Sequence, residues 1–267
     1  MSKTISAAAN PALANKMISD VVEEKPQQKE IKITSPSSNI VTLPGGYITT
    51  TGEVIDEAEV RELTGADEEA IAKAPNVGRA LLTILQRGTV RIGEERADDK
   101  VLDSILSADR DVLLLAIFKA TFGNTTVVPV YIEGEMKEVE VDLDLDIPIK
   151  TLSDKVNDRY FTVKGKKNLY TVQLPTGKTH REMIKNSEKS SAELTTLMLE
   201  GTVTEINGTP VLSKSQVQTL GIQDRKIIID EINKRLPGPQ FDNVTVTDPD
   251  TGKEVRVPVN FGTLFRF

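Results

Sequence analysis

Two segments of this chain, LLTILQRGTV at residues 81–90 and LTTLMLEGTV at residues 194–203, share five identities in ten at an offset of 113 residues. A second pair, DRDVLLLAIFKATFG at 109–123 and DRKIIIDEINKRLPG at 224–238, keeps Asp-Arg, Ile, Lys and Gly in register at an offset of 115. Matches at nearly the same offset and in the same order indicate an internal duplication, and this duplication decides the fold.

Shorter matches flank these segments. Arg-Glu-Leu at 61–63 corresponds to Arg-Glu-Met at 181–183, and a Val-x-Val strand at 139–141 corresponds to another at 255–257. We therefore expect an α+β fold of two tandem pseudo-repeated modules, each made of a few helices with short antiparallel β-hairpins. The expected divisions are an extended N-terminal arm at 1–39, module 1 at 40–148, a linker at 149–159, and module 2 with an aromatic C-terminal tail at 160–267.

Local signals place the elements of module 1. A Pro-Gly-Gly turn is expected to break a strand at 41–47. Thr64 and Asp67 have the spacing of a capping box, which predicts a helix start. Ser107 is expected to cap a central helix whose apolar residues surround most of its circumference, so that helix should be the buried centre of the module. A hairpin should follow, with its second strand running over 137–147.

The composition excludes several classes of function. The chain has 267 residues, a formal net charge of −7, no Cys, no Trp and one His. The lack of Cys excludes disulfides, thiolate zinc sites and Cys nucleophiles, and a single imidazole limits any metal site or triad. The acidic balance argues against nonspecific nucleic-acid binding, and no segment approaches the roughly 18 apolar residues of a membrane span. We expect no enzymatic activity, no cofactor and no metal.

Two features that could suggest chemistry have simpler interpretations. Gly-Lys-Thr at 177–179 resembles the end of a phosphate-binding loop, but Val172 stands where that loop requires its first glycine. We interpret 177–179 as a hairpin turn. His180 follows directly, and we interpret it as a surface or capping residue.

Five acidic residues alternate with apolar residues near the end of module 1. They are Glu138, Glu140, Asp142, Asp144 and Asp146. A period of two predicts that all five point to one face of one strand. Three interpretations stay open: a solvated strand face, a docking edge for a basic partner, or a calcium site whose loop lacks the following Gly and the closing Glu.

The C-terminus concentrates aromatic side chains. Phe261, Phe265 and Phe267 are three of the seven Phe residues in the chain. Because a polar chain rarely leaves such side chains in water, they should either fold back onto module 2 or insert into a neighbouring subunit. Together with the acidic strand, they are the residues that we predict to bind partners.

Several motifs resemble a known family. VTLPGGY at 41–47, RELTGADEE at 61–69, ADRDVLLLAIFKATFGN at 108–124 and NFGTLFRF at 260–267 are similar to the baseplate hub assembly proteins, or hub assembly chaperones, of T-even-like contractile-tailed bacteriophages. Many members of that family carry Cys-x-x-Cys pairs at the hairpins that look like zinc knuckles. This chain has none, so strand pairing and core packing must hold its hairpins together.

The resemblance implies a non-catalytic protein of the baseplate hub that acts by protein–protein binding, either as a structural component or as an assembly factor. Its partners would be other tail and baseplate proteins, and it could also form a homo-oligomer within the tail. It would bind neither nucleic acid nor membrane. Its location would be the virion tail, and the host cytoplasm during assembly. The alternatives are a transient assembly chaperone absent from the mature virion and, from another class, a tail-associated hydrolase.

Overall fold

The computed structural model describes residues 38–132, 134–247 and 252–266. These residues belong to one compact unit, Pro36–Phe267. Almost all of the predicted arm, Glu133 and the predicted partner-binding residue Phe267 lie outside the described residues.

Short strands and helices alternate along the described residues. The strands are β1 (Ser38–Ile48), β2 (Val54–Arg61), β3 (Thr89–Ile92), β4 (Glu95–Arg96), β5 (Thr125–Ile132), β6 (Glu135–Asp142), β7 (Ile149–Lys150), β8 (Tyr160–Lys164), β9 (Leu169–Gln173), β10 (Val203–Ile206), β11 (Thr209–Pro210), β12 (Gly238–Pro239), β13 (Thr245–Thr247) and β14 (Glu254–Arg256). The helices are α1 (Gly65–Ala72), α2 (Val77–Gly88), α3 (Asp99–Ser104), α4 (Ser107–Phe122), α5 (Gly177–Lys185), α6 (Ser191–Thr202), α7 (Lys214–Gln218), α8 (Ile222–Arg235) and α9 (Phe261–Phe265). The predicted α+β class is confirmed.

Both modules share one order of elements, to which module 2 adds β12 and α9. Each has two strands, two helices, two more strands, two further helices and a C-terminal hairpin, and each four-stranded antiparallel sheet follows the chain order, β1-β2-β3-β4 and β8-β9-β10-β11. The helix starts agree closely, because α4 and α8 begin 115 residues apart, as do α3 and α7. This common topology gives the sequence duplication a structural counterpart.

One of the flanking sequence matches is wrong. Arg61 is the last residue of β2, whereas Arg181 lies inside α5. The equivalent helix starts are instead Thr64-Gly65 and Thr176-Gly177, since Thr64 and Thr176 are the N-cap residues of α1 and α5. The Arg-Glu triplets therefore match in sequence without matching in structure.

Helix α4 is the centre of the fold, as its apolar residues predict. Leu113 and Ile117 are fully buried in the core beneath the first sheet, while Leu115 and Phe118 face a second core that also contains module 2 residues such as Val257. The predicted cap at Ser107 is wrong by one residue, because Leu106 is the N-cap and the Ser107 N–H donates to the Pro175 carbonyl of module 2 (2.9 Å). Both modules thus pack on this helix.

The Pro-Gly-Gly sequence does not end the first strand. β1 continues through it with a shift of register between Thr42 and Tyr47, so the predicted turn is a bulge. The Gly45 N–H donates to Asp109 Oδ1 at the start of α4 (2.7 Å). A Cβ on Gly45 would lie 2.6 Å from Asp109 Oδ2, so only glycine lets the strand approach the carboxylate this closely.

The predicted linker is structured. β7 pairs with β12 of module 2, and Leu152 is buried against Leu106 of module 1. The Arg159 guanidinium is buried and donates to the carbonyl oxygens of Gly45 (2.9 Å) and Gly46. The linker therefore covers the bulge of β1.

Candidate protein-interaction surface

The predicted acidic strand is shorter than its alternation suggests. β6 ends at Asp142, and residues 143–146 form a turn, so Asp144 and Asp146 do not share a strand face with Glu138 and Glu140. Asp142 Oδ1 accepts the N–H groups of Asp144 (2.9 Å) and Leu145 (3.1 Å), and Asp146 Oδ2 accepts the Asp142 N–H (2.8 Å). Aspartate carboxylates that bind nearby backbone N–H groups stabilise a turn in competition with a strand.

The calcium interpretation has no support from this geometry. Asp142 and Asp146 direct carboxylate oxygens to backbone N–H groups, and Asp144 Oδ1 pairs with Lys119 Nζ (2.6 Å). Among the described residues, no group of three or more His, Asp or Glu side chains is arranged to hold a metal ion.

The β5–β6 hairpin has a buried face and an outward face. Buried Val and Ile side chains of both strands join the second core. The outward face, which we call the hairpin face, consists of Val127, Pro129, Tyr131, Met136, Glu138 and Glu140. Register pairs Val127 with Glu140 and Tyr131 with Met136, and Tyr131 and Met136 are 69% and 67% exposed.

Large apolar groups on this face are next to carboxylates. A contiguous exposed apolar patch with a polar rim is typical of a protein-binding surface. At the far end of β6, the turn at 143–146 also exposes Leu145, whose side chain is 82% accessible. The hairpin therefore offers apolar contact area together with negative charge.

The C-terminal aromatic residues fold back, and Phe261 does so as predicted whereas Phe265 does not. Phe265 packs edge-on against Phe118 of α4, with 5.3 Å between ring centroids, and Phe261 packs edge-on against Phe241 at 5.0 Å. Phe261 therefore packs on module 2, which is one of the two outcomes that we expected, whereas Phe265 packs on helix α4 of module 1. Phe261 and Phe265 remain half-buried, and their role in partner binding stays a prediction.

Two buried acids have roles that the sequence did not indicate. The predicted capping box is confirmed, since Asp67 accepts the Thr64 N–H (2.8 Å), but the same carboxylate also binds Arg61 (2.8 Å) and Arg87 (3.1 Å). Burial raises the pKa of Asp67, yet these hydrogen bonds outweigh it and hold the pKa well below its usual range.

At Asp109 the effect of burial on the pKa outweighs that of the hydrogen bonds. It is fully buried, and burial raises its pKa to about 6 although the Gly45 N–H and the charge of Arg159 lower it. Its equivalent in module 2, Asp224, accepts the Lys166 N–H (2.7 Å) and the Tyr170 hydroxyl (2.6 Å), which lower its pKa. In both modules this acid ties the start of the central helix to the first hairpin, so its role is structural.

The two features near residue 180 also differ from expectation. Gly177 to Thr179 form the first turn of α5, so the predicted hairpin turn is wrong. His180 is half-buried rather than a surface residue, and burial together with the nearby charge of Arg110 lowers its pKa to about 4. It is therefore neutral at physiological pH and contributes to packing between the modules.

Within the ranges that the structure describes, none of the helices has the length and apolar content that crossing a bilayer requires. Comparison with protein-family models, with curated proteins and with solved structures finds no match to this chain.

Proposed function

We propose that this protein is a non-catalytic component of the baseplate hub of a contractile phage tail, and that it works by binding other tail proteins. The observation that carries the binding role is the hairpin face, where Tyr131 and Met136 are exposed side by side and Glu138 and Glu140 continue the surface. The phage setting is supported by the resemblance of the sequence motifs at 41–47, 61–69 and 108–124 to hub assembly proteins.

The chemistry of the hairpin face suggests the nature of its partner. Tyr and Met side chains supply apolar contact area, and tyrosine is among the residues that most often dominate binding energy. The carboxylates of Glu138 and Glu140 favour basic groups opposite them and disfavour acidic surfaces. We therefore expect a tail protein with an apolar patch bordered by Lys or Arg.

The test uses phage particles that carry altered copies of this chain. Tyr131→Ser combined with Met136→Ser should reduce the fraction of complete baseplates seen by electron microscopy, while the isolated variant keeps its melting temperature because both side chains are exposed. Leu212→Ser is the matched control, since Leu212 is 88% exposed but lies outside the hairpin face. Normal baseplates with the double variant would rule out the hairpin face as the surface that binds other tail proteins.

A transient assembly chaperone would use the same surface. Mass spectrometry of purified particles separates the two roles, because a structural component gives peptides of this chain in stoichiometric amount. Their absence from particles, together with a loss of baseplates in the double variant, would assign the protein to assembly alone.

A further inference from the structure

A second surface of this chain has the chemistry that the hairpin face requires in a partner. The linker and the C-terminal end of α8 border a surface cavity of about 250 Å³, which we call the linker pocket. Tyr160 and Phe161 line it, together with the cations Lys234 and Arg235. The linker pocket therefore combines apolar rings with positive charge, which complements the apolar groups and carboxylates of the hairpin face.

The charge of the linker pocket comes from the end of a helix and from the linker. Lys234 and Arg235 lie in the last turn of α8, where the helix dipole favours cations. Lys150 of the linker lines the same pocket and donates to the Lys234 carbonyl. Two carboxylates oppose these three cations. Glu231 pairs with Lys234 and Arg235, and Asp158 is part of the lining. One positive charge is left without a counter-charge, so the pocket attracts a further carboxylate.

The groups around the linker pocket are open to a second molecule. Tyr160 is 56% exposed, the Lys234 side chain is 69% exposed, and Lys150 is exposed as well. The Arg235 guanidinium lies over the Phe161 ring, with 4.6 Å between Cζ and the ring centroid. This stacking fixes the plane of the guanidinium, so little conformational freedom is lost when it donates to a carboxylate.

The size of the linker pocket suits an inserted side chain better than a small molecule. Small-molecule sites commonly have volumes of roughly 300–1,000 Å³, and the linker pocket lies below that range. On the hairpin face, Tyr131 and Met136 are paired across the strands close to the hairpin turn, and they are its most exposed apolar groups. Because tyrosine often dominates the binding energy of an interface, Tyr131 is the side chain that we expect to enter the pocket.

The hairpin face supplies the carboxylates. Glu138 and Glu140 are exposed, and neither pairs with a cation among the described residues. They are two positions apart on one strand, so their Cα atoms are separated by about 7 Å. Both carboxylates can therefore meet the cations around the pocket when Tyr131 enters it.

We propose that the hairpin face of one copy binds the linker pocket of a second copy, with Tyr131 inside the pocket and Glu138 and Glu140 opposite its cations. Such a contact joins two different surfaces, so copies add to a ring if the rotation closes and to an open chain if it does not. This inference rests on the binding role proposed for the hairpin face and names the partner of that face as another copy of this chain.

The experiment uses two variants of the full chain, one for each surface. The hairpin variant carries Tyr131→Ser and Met136→Ser, and the pocket variant carries Tyr160→Ser and Lys234→Glu. Sedimentation velocity from about 1 to about 300 µM measures association over the dissociation constants of weak protein contacts. Leu212→Ser is again the control, because this exposed side chain belongs to neither surface.

We expect the wild type and Leu212→Ser to associate with rising concentration. The hairpin variant and the pocket variant should each stay monomeric and keep the melting temperature of the wild type, because the substituted side chains are exposed. An equal mixture of the two variants should form dimers and no larger species. The reason is that the hairpin variant still has an intact linker pocket and the pocket variant still has an intact hairpin face.

Three results would overturn the proposal. They are a wild type that stays monomeric throughout, a single variant that associates like the wild type, and a mixture of the two variants that stays monomeric. The proposed function has its own test in the baseplates of phage particles. A monomeric wild type combined with a loss of baseplates in the Tyr131→Ser, Met136→Ser particles would make the partner of the hairpin face a different tail protein.

A charge exchange tests the pairing of carboxylates with cations separately. Glu138→Lys should weaken association about tenfold, because it places like charges at the contact. Combining Glu138→Lys with Lys234→Glu in one chain should restore association. Glu94→Lys makes the same change of charge at a fully exposed side chain outside both surfaces and should have no effect. Equal weakening by Glu94→Lys, or no restoration in the combined variant, would refute the contact.

Discussion

Replacing Asp109 by asparagine should change how the stability of the protein depends on pH. The pKa of this carboxyl is about 6 in the folded protein against an ordinary value of 3.8, so the folded state holds the proton more tightly than the unfolded state. The contribution of Asp109 to the free energy of unfolding of the wild type therefore falls as the pH rises from about 4 to about 6. The amide of the substituted side chain would stay neutral at every pH and keep an oxygen for the Gly45 N–H.

The size of the effect follows from the pKa. A rise from 3.8 to about 6 corresponds to a loss of about 3 kcal/mol above the folded-state pKa. The free energy of unfolding of Asp109→Asn minus that of the wild type should therefore increase by about 2 kcal/mol between about pH 4 and about pH 7, since part of the loss has already occurred at pH 4. Because each comparison is made at the same pH, the titration of carboxylates remote from Asp109 cancels. Asp111 is the exception, because its pKa, raised to about 7 by burial and in part by the charge of Asp109, changes with the substitution.

Asp224→Asn in module 2 is the matched control with the opposite sign. Hydrogen bonds from the Lys166 N–H and Tyr170 lower the Asp224 pKa, so its ionised form contributes stability above its usual pKa that is lost as the pH falls. The free energy of unfolding of Asp224→Asn minus that of the wild type should therefore decrease as the pH rises. Urea denaturation at several pH values measures both. Parallel curves for Asp109→Asn and the wild type would refute the assignment.

Three further predictions concern stability. Asp67→Ala should lower the free energy of unfolding by about 3 kcal/mol, seen in urea denaturation, because Arg61 and the start of α1 lose their buried acceptor; a loss below about 1 kcal/mol would contradict this. Gly88→Ala should cost about 2 kcal/mol although alanine favours helices, because its Cβ would lie 2.6 Å from the buried Ile117 side chain; a raised melting temperature would show that the core can adjust. Phe265→Ala should cost about 2 kcal/mol through lost packing on α4, while Phe265→Leu should recover most of it; equal losses would point to the ring edge contact instead.

Features that depend on neighbouring residues were predictable from the sequence. The capping box of Thr64 and Asp67 reaches only three residues along the chain, so residue type and spacing were sufficient to predict it. Hydrogen bonds between near neighbours also explain why the strand predicted through residue 146 is wrong. The alternation at residues 138–146 fits a strand, but the carboxylate of Asp142 bonds its own neighbours and ends β6.

Contacts between distant residues could not be predicted from any local pattern. Asp109 and Gly45 are 64 residues apart, and neither Asp-Arg nor Pro-Gly-Gly specifies that a carboxylate will enter a strand bulge. Phe265 and Phe118, which pack together at α4, are 147 residues apart. The sequence indicated that the C-terminal aromatic rings would be covered, but the surface that covers them depends on the tertiary fold.

The different titration of Asp109 and Asp224 follows from their places in the duplicated chain. Each carboxylate ties its central helix to its first hairpin, so local structure alone would give them similar pKa values. Module 1 is followed by the linker, whose Arg159 covers the bulge around Asp109. One oxygen of the Asp109 carboxylate, Oδ2, has no hydrogen-bond partner. Asp224 instead binds a donor with each oxygen, at Lys166 and Tyr170. The pKa values of Asp109 and Asp224 therefore differ because the segment that packs around the carboxylate is different in each module.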